Sequence, residues 1–199
     1  MSAINIPRQE EQNNRVEPRK FSLWLLIIGM TMLFAAFTSA YIVRQAEGNW
    51  YRFDLSPMFL YSTIVVVMSS VTMIVAYRAA KNDELGQLKA GLTLTILLGL
   101  VFTYLQWLGW QDMIANNLFF TNPDDGTKVS ASFLYVISGV HLLHLLGGII
   151  FLLVMLIKAF NLQVHKKNLL SINMCNTYWH FVGILWVYLY LFFYLTKDF

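Results

Sequence analysis

Residues 129–157 read VSASFLYVISGVHLLHLLGGIIFLLVMLI, a run of 29 positions without an Asp, Glu, Lys or Arg. Four further runs of this kind cover residues 21–43, 55–77, 90–111 and 168–196, and all 14 basic and 11 acidic residues lie outside the five runs. An α-helix rises about 1.5 Å per residue, so roughly 20 apolar residues cross a hydrocarbon core about 30 Å thick. The sequence therefore predicts an all-α integral membrane protein. Its five transmembrane helices are expected over about 21–43, 56–77, 89–111, 131–157 and 177–196.

The basic residues lie unevenly around these helices. Ten of the 14 fall on the side of the N-terminus: Arg8, Arg15, Arg19, Lys20, Arg78, Lys81, Lys89, Lys158, Lys166 and Lys167. The other side has Arg44, Arg52, Lys128 and Lys197. Because cytoplasmic loops carry an excess of Lys and Arg, this bias predicts a cytoplasmic N-terminus and an external C-terminus. It also accounts for the net charge of +3, so we expect no nucleic-acid partner.

Residues 1–20 and 21–199 differ in character. The first segment is polar and has no apolar core, which excludes a signal peptide and predicts a disordered cytoplasmic tail. The second is the five-helix transmembrane domain. Its second helix is expected to open at Ser56-Pro57, because a serine N-cap followed by proline is a typical helix start.

The five runs contain no carboxylate and no fixed cation. Pumps, proton-coupled carriers and ion channels usually place such groups within the membrane, where they bind the transported ion. A transporter or channel would here have to use hydroxyls alone, such as Thr31, Ser69, Thr95 and Thr103. That function is therefore a weaker hypothesis.

The third helix carries small residues at four-residue spacing. They are Gly91, Thr95, Gly99 and Thr103. In lipid no hydrophobic effect drives helices together, so small side chains that allow close backbone approach mark the packing faces. The stripe predicts a tightly apposed neighbour, either within this chain or in a partner subunit.

Three histidines lie within the apolar runs, His141, His144 and His180. Imidazole ligates haem iron, so a small membrane b-type cytochrome is one hypothesis. However, His141 and His144 lie three residues apart on one helix and cannot bind opposite faces of one haem. His180 differs from His144 in predicted depth by roughly 13 Å, which is too far for one iron. We expect contacts with neighbouring helices or lipids instead, and no catalytic, cofactor-binding or metal-binding residue in this chain.

Two motifs on the last two helices resemble a known family. Residues 138–148 read SGVHLLHLLGG and residues 178–186 read YWHFVGILW. Together they resemble subunit III of the haem–copper terminal oxidases, whose five-helix bacterial members carry Gly-x-His-x-x-His and Trp-His-Phe-x-Asp-x-x-Trp. FAAFTSAYIVR at 34–44 and LLGLVF at 97–102 are weaker matches. The resemblance covers all five spans in order and adds Trp179 and Trp186 to the three histidines as candidate contact residues.

The chain departs from this family at four positions where members often place carboxylates. By the flanking residues these positions are Met30, Gly109, Asn173 and Gly183. All four are uncharged, so no role of those carboxylates is carried over to this chain.

The resemblance implies a multi-pass subunit of a bacterial plasma membrane that has no redox centre of its own. It implies packing against the catalytic subunit I together with subunit II, bound structural phospholipids, and support of proton uptake and turnover stability. The haems and copper that reduce oxygen to water are then expected in the partner subunits. A larger respiratory supercomplex is compatible with this resemblance, and cytochrome c and quinol both remain open as the electron donor.

Overall fold

The computed structural model describes residues 17–46, 54–116, 118, 129–162 and 169–196. These residues form five α-helices and no strand: α1 Pro18–Ala46, α2 Pro57–Lys81, α3 Leu85–Ala115, α4 Val129–Phe160 and α5 Leu170–Thr196. All five are long and apolar enough to cross a membrane. The predicted fold class is confirmed, and the chain is a multi-pass membrane protein.

Four of the helices form a closed ring. Around the ring, α2 packs on α3 and α5, and α4 packs on the same two helices. The pairing of α2 with α3 is the most extensive. The first helix lies outside the ring, against α4 and α5. It buries one stripe at helical spacing: Leu23, Ile27, Met30, Phe34, Thr38 and Tyr41.

The start of α2 and the turn that follows it agree with the local sequence. The Ser56 hydroxyl accepts a hydrogen bond from the Met58 backbone N–H at 3.3 Å, and Pro57 occupies the first turn, which confirms the predicted N-cap. Asp83 then reverses the chain with φ 58°, a left-handed conformation that Asp adopts more readily than most residues. The Glu84 N–H donates to the Ala79 carbonyl at 3.0 Å. This short connection holds α2 and α3 antiparallel.

Four helices begin before the starts expected from the sequence. The first starts at Pro18 rather than near residue 21, inside the predicted tail, and the fifth starts at Leu170 rather than near 177. The third starts at Leu85 rather than near 89, and the fourth at Val129 rather than near 131. Hydropathy marks where a helix enters the membrane, whereas the helix itself continues for as long as its backbone is bonded. Thus the Phe21 N–H donates to the Glu17 carbonyl and the Asn173 N–H to the Leu169 carbonyl. Residues 1–16 of the predicted tail lie outside the described residues.

The small-residue stripe on α3 packs within this chain. A Cβ added at Gly91 would lie 2.8 Å from the Ala76 Cβ of α2, and the Thr95 hydroxyl lies 2.8 Å from that of Thr72, also on α2. A Cβ at Gly99 would lie 2.9 Å from the Trp179 ring of α5. Thr103 is half-buried and donates to the Gly99 carbonyl at 3.0 Å. The neighbours that the sequence left undecided are therefore α2 and α5.

Substitution of Gly91 by Ala should destabilise the bundle by about 1–3 kcal/mol, the usual cost of overpacking a core. The added Cβ meets Ala76 backbone at 3.1 Å as well as its Cβ, so one helix must shift. The free energy of unfolding of the isolated chain, measured by denaturant titration in detergent micelles, tests this. Gly29→Ala is the matched control, because a Cβ there meets nothing within 4 Å. Equal effects of the two substitutions would contradict close α2–α3 packing.

Candidate functional site

His141 lies in the centre of the bundle, enclosed by aromatic side chains from three other helices. Its ring centroid is 6.2 Å from Phe34 on α1, 6.1 Å from Phe102 on α3 and 5.0 Å from Trp186 on α5. None of its surface is exposed. Both ring nitrogens are buried without a hydrogen-bond partner among the described residues. We call these four residues the aromatic layer; they link α1, α3, α4 and α5.

His144 lies one turn from His141 on α4 and is half-buried. Its Nδ1 is 2.8 Å from the Val140 carbonyl oxygen. A carbonyl oxygen can only accept, so Nδ1 is the donor. The Tyr178 hydroxyl of α5 donates to the His144 carbonyl oxygen at 2.9 Å. The side chain of this histidine is therefore hydrogen-bonded within its own helix. Its ring also packs against Phe34 of α1, with ring centroids 5.9 Å apart, and its backbone carbonyl bonds to α5.

Two tryptophans of α5 donate hydrogen bonds to α2. Trp179 Nε1 donates to the Ser69 hydroxyl at 3.1 Å, and Trp186 Nε1 to the Thr63 hydroxyl at 3.0 Å. The Trp179 ring also lies where glycines of α3 and α4 leave room, since an added Cβ would be 2.9 Å from it at Gly99 and 3.2 Å from it at Gly148. Trp179 thus contacts all three other helices of the ring.

His180 is half-buried on α5. It makes no side-chain hydrogen bond with the rest of the described chain. The rings of His141 and His144 contact the aromatic layer and Val140, and none of these contacts involves His180. The sequence-based expectation that His180 contacts a helix or a lipid stays a prediction.

Sequence reasoning missed several polar contacts in the core. Gln106 Nε2 of α3 donates to the Ser62 hydroxyl of α2 at 2.8 Å. Trp110 Nε1 of α3 donates to the Ser138 hydroxyl of α4 at 3.1 Å. The third apolar run contains two glutamines, Gln111 at its end and Gln106 five residues further in. Gln106 was a usable signal, because an amide in hydrocarbon requires a partner. The aromatic partner Phe34 carried no such signal among the 15 phenylalanines of the chain.

The packing around His141 argues against a haem or metal centre at this histidine. No group of three or more His, Cys, Asp or Glu residues within the described ranges could hold a metal ion. A haem ligated by His141 would need space beside the ring, but Phe34, Phe102 and Trp186 occupy that space at ring distances of 5.0–6.2 Å. The surroundings of His141 therefore leave no space for a haem.

A family model described as cytochrome c oxidase subunit III matches residues 14–197. The chain belongs to this family. Cytochrome c oxidase subunit 3 of Bacillus sp. (strain PS3) is 25% identical over 197 residues, which cover 96% of this chain and 92% of that protein. The subunit 3 of Pisaster ochraceus is 32% identical over 184 residues, covering 86% and 67% of the two chains. The subunit 3 of Gadus morhua is 35% identical over 132 residues, covering 66% and 48%.

Gly109 and Gly183 are two of the four uncharged positions at which members of the family often have carboxylates. Side chains of α2 pack against both positions. A Cβ at Gly109 would lie 3.3 Å from the Phe59 ring, and a Cβ at Gly183 would lie 3.2 Å from the Ser70 hydroxyl. A side chain at either position would require Phe59 or Ser70 to shift. Met30 is buried on α1 and Asn173 is half-buried on α5. Here packing between helices occupies these positions.

Replacement of Trp179 by Phe should lower the free energy of unfolding by about 1–3 kcal/mol. The change removes the bond to Ser69 and leaves a gap between Gly99 and Gly148. Trp107→Phe is the control, since Trp107 is 56% exposed. Denaturant titration of both variants in micelles measures the difference. If Trp179→Phe costs no more than the control, the contact with Ser69 is not structural.

Replacement of His141 by Leu should leave the bundle as stable or raise its unfolding free energy by about 1–3 kcal/mol, because a buried polar group without a partner is costly. The side chains have similar volumes, so the aromatic layer keeps its packing. Thermal unfolding of the purified chain checks the sign. A clear loss of stability would show that His141 has a bonding partner, such as an internal water.

Proposed function

We propose that the chain is the non-catalytic subunit III of a respiratory haem–copper oxygen reductase, a cytochrome c oxidase. The single observation that carries this proposal is the match of residues 14–197 to the cytochrome c oxidase subunit III family. The oxidation of the donor and the reduction of oxygen to water would take place in partner subunits I and II. This chain would pack against the catalytic subunit, hold phospholipids and support proton uptake and turnover stability.

The geometry of the core supports a structural role. His141 is fully buried, and the His144 side chain is bonded to its own helix. Among the described residues, none of the histidines belongs to a group of three or more residues that could hold a metal ion. The haem alternative has no room beside His141, as described above. The helices meet through glycines, tryptophans and single hydrogen bonds. This arrangement suits a subunit that packs against its partners rather than one that catalyses a reaction.

The intramembrane hydroxyls give no support to a transport path. Thr31 donates to the Ile27 carbonyl at 2.8 Å, Thr95 to Gly91 at 2.8 Å and Ser69 to Val66 at 2.7 Å. Each hydroxyl proton is therefore used within its own helix. A channel would need polar groups that face one another along a continuous path.

The charge distribution supports an N-in and C-out orientation in a bacterial plasma membrane. Consecutive antiparallel helices place the start of α1, the end of α2, the start of α3 and the end of α4 at one end of the bundle. Among the described residues, that end carries Arg19, Lys20, Arg78, Lys81, Lys89 and Lys158, and the opposite end carries Arg44. By the excess of Lys and Arg on cytoplasmic sides, the first end is cytoplasmic.

Isolation of this chain from its native membranes in mild detergent tests the proposal. Haem spectra, copper content and oxygen consumption should be measured on the isolated complex and again on the separated chain. We expect haem, copper and oxygen reduction to remain with the partner subunits. Haem retained by the separated chain and lost on His144→Ala would support a membrane cytochrome instead. A preparation that contains no haem–copper partner would reopen the transporter hypothesis.

A further inference from the structure

Three polar side chains lie where α2 and α5 meet: Ser70, Asn176 and His180. All three are half-buried. Gly183 joins them, because a Cβ at this position would lie 3.2 Å from the Ser70 hydroxyl. Residues three or four apart share one face of a helix, so Asn176 and His180 lie on the face of α5 on which Gly183 meets Ser70. Asn176 is about 10 Å from Gly183 along the helix axis. We call Ser70, Asn176 and His180 the α2–α5 seam.

The polar groups of the seam are unsatisfied by the residues that the structure describes. The Asn176 carboxamide oxygen is buried without a hydrogen-bond partner. Neither Ser70 nor His180 makes a side-chain hydrogen bond with the described residues. By contrast, nearby hydroxyls are bonded: Ser69 donates to the Val66 carbonyl, and Thr177 to the Asn173 carbonyl at 3.0 Å. The seam therefore differs from the rest of these two helices.

The depth of the seam favours a partner within the membrane over lipid headgroups. With 27 residues, α5 is about 40 Å long at 1.5 Å per residue, roughly 10 Å longer than the hydrocarbon core. With this excess shared between its two ends, Asn176 lies about 4 Å and His180 about 10 Å inside the hydrocarbon. This estimate is the same for either orientation of the chain. Lipid headgroups and bulk water lie outside that depth, and acyl chains cannot hydrogen-bond.

We infer that the α2–α5 seam docks a transmembrane helix of a partner oxidase subunit, through a polar side chain of that helix. The inference rests on the proposed function, which supplies a partner with helices at this depth. An amide or hydroxyl side chain such as Asn, Gln, Ser or Thr fits best, because it donates and accepts. The Asn176 carboxamide can turn about its last side-chain bond to meet it, and His180 and Ser70 can each donate or accept. The small Gly183 next to the seam lets another backbone approach.

Apolar substitutions within the assembled complex test the seam. Asn176→Leu and His180→Phe keep side-chain size but remove the hydrogen bonds. Each bond between membrane helices corresponds to a roughly three- to thirty-fold change in an equilibrium constant. We expect each variant to weaken retention of the haem-bearing subunit by such a factor in a detergent titration of the complex. Thr177→Val is the control at the same depth, since the Thr177 hydroxyl is bonded within α5.

The stability of each isolated variant separates docking from folding. Asn176→Leu and His180→Phe should leave the unfolding of the purified chain unchanged or raise its midpoint, because no internal bond is lost. Unaltered retention of the haem-bearing subunit by both variants would overturn the inference. So would equal losses in the isolated chain and in the complex.

A photo-crosslinking residue introduced at Ile74 gives an answer that does not depend on these variants. Ile74 is 38% exposed on α2, one turn from Ser70, and Met32 on α1, 68% exposed, is the control position. Irradiation of the whole complex should link position 74 to a partner polypeptide. Adducts with phospholipid alone, or with a second copy of this chain, would refute the docking of a partner helix while the proposed function stands. Absence of any haem–copper subunit from the preparation would instead contradict the proposed function.

Discussion

Polar groups in a hydrocarbon core must find partners within protein, because no water is present to bond them. This constraint accounts for most side-chain bonds of the bundle. Threonine and serine hydroxyls donate to carbonyls of the preceding turn, as Thr38 does to Phe34 at 3.0 Å. The indole N–H groups of Trp110, Trp179 and Trp186 then use hydroxyls of neighbouring helices as acceptors. These accepting hydroxyls belong to Ser138, Ser69 and Thr63. Each of them also donates a hydrogen bond to a carbonyl of its own helix.

Glycine spacing decides which helices meet at these bonds. Gly91 brings α3 against α2, while Gly99 and Gly148 make the space that the Trp179 ring fills. Contacts within this chain therefore hold the four helices α2, α3, α4 and α5 together. The first helix is attached through aromatic contacts instead, with Phe34 against His141 and His144, and Tyr41 against Phe133 and Phe192. Because the helices contact one another within the chain, their outer faces remain available to lipids and to partner subunits.

Much of this architecture was predictable from sequence, for identifiable reasons. The five spans follow from runs without charge, and the Ser56-Pro57 start of α2 follows from local capping chemistry. The start of α5 was not predictable from hydropathy, because Asn173 and Asn176 look like a boundary but lie within the helix. The neighbours of the α3 stripe were not predictable either, since small residues mark a close approach without naming the partner. The surroundings of His141 depend on the rotation of three other helices, which no local pattern encodes.

The unsatisfied groups are as informative as the satisfied ones. His141 and the Gln106 oxygen lie inside the bundle, where aromatic packing surrounds the histidine. By contrast, Asn176 lies one turn from the half-buried His180 on α5. This difference in position separates groups that complete the core of this subunit from groups that a partner subunit can reach. The family match and the lack of space for a haem beside His141 point to the same account, a structural subunit whose redox partners lie next to it.

Cryo-electron microscopy of the intact complex, isolated through a tag on this chain, tests that account most directly. The account predicts all iron and copper density in other polypeptides, with Trp179 against Ser69 and the aromatic layer unchanged in this one. Haem or metal density bound by His141, His144 or His180 would contradict it.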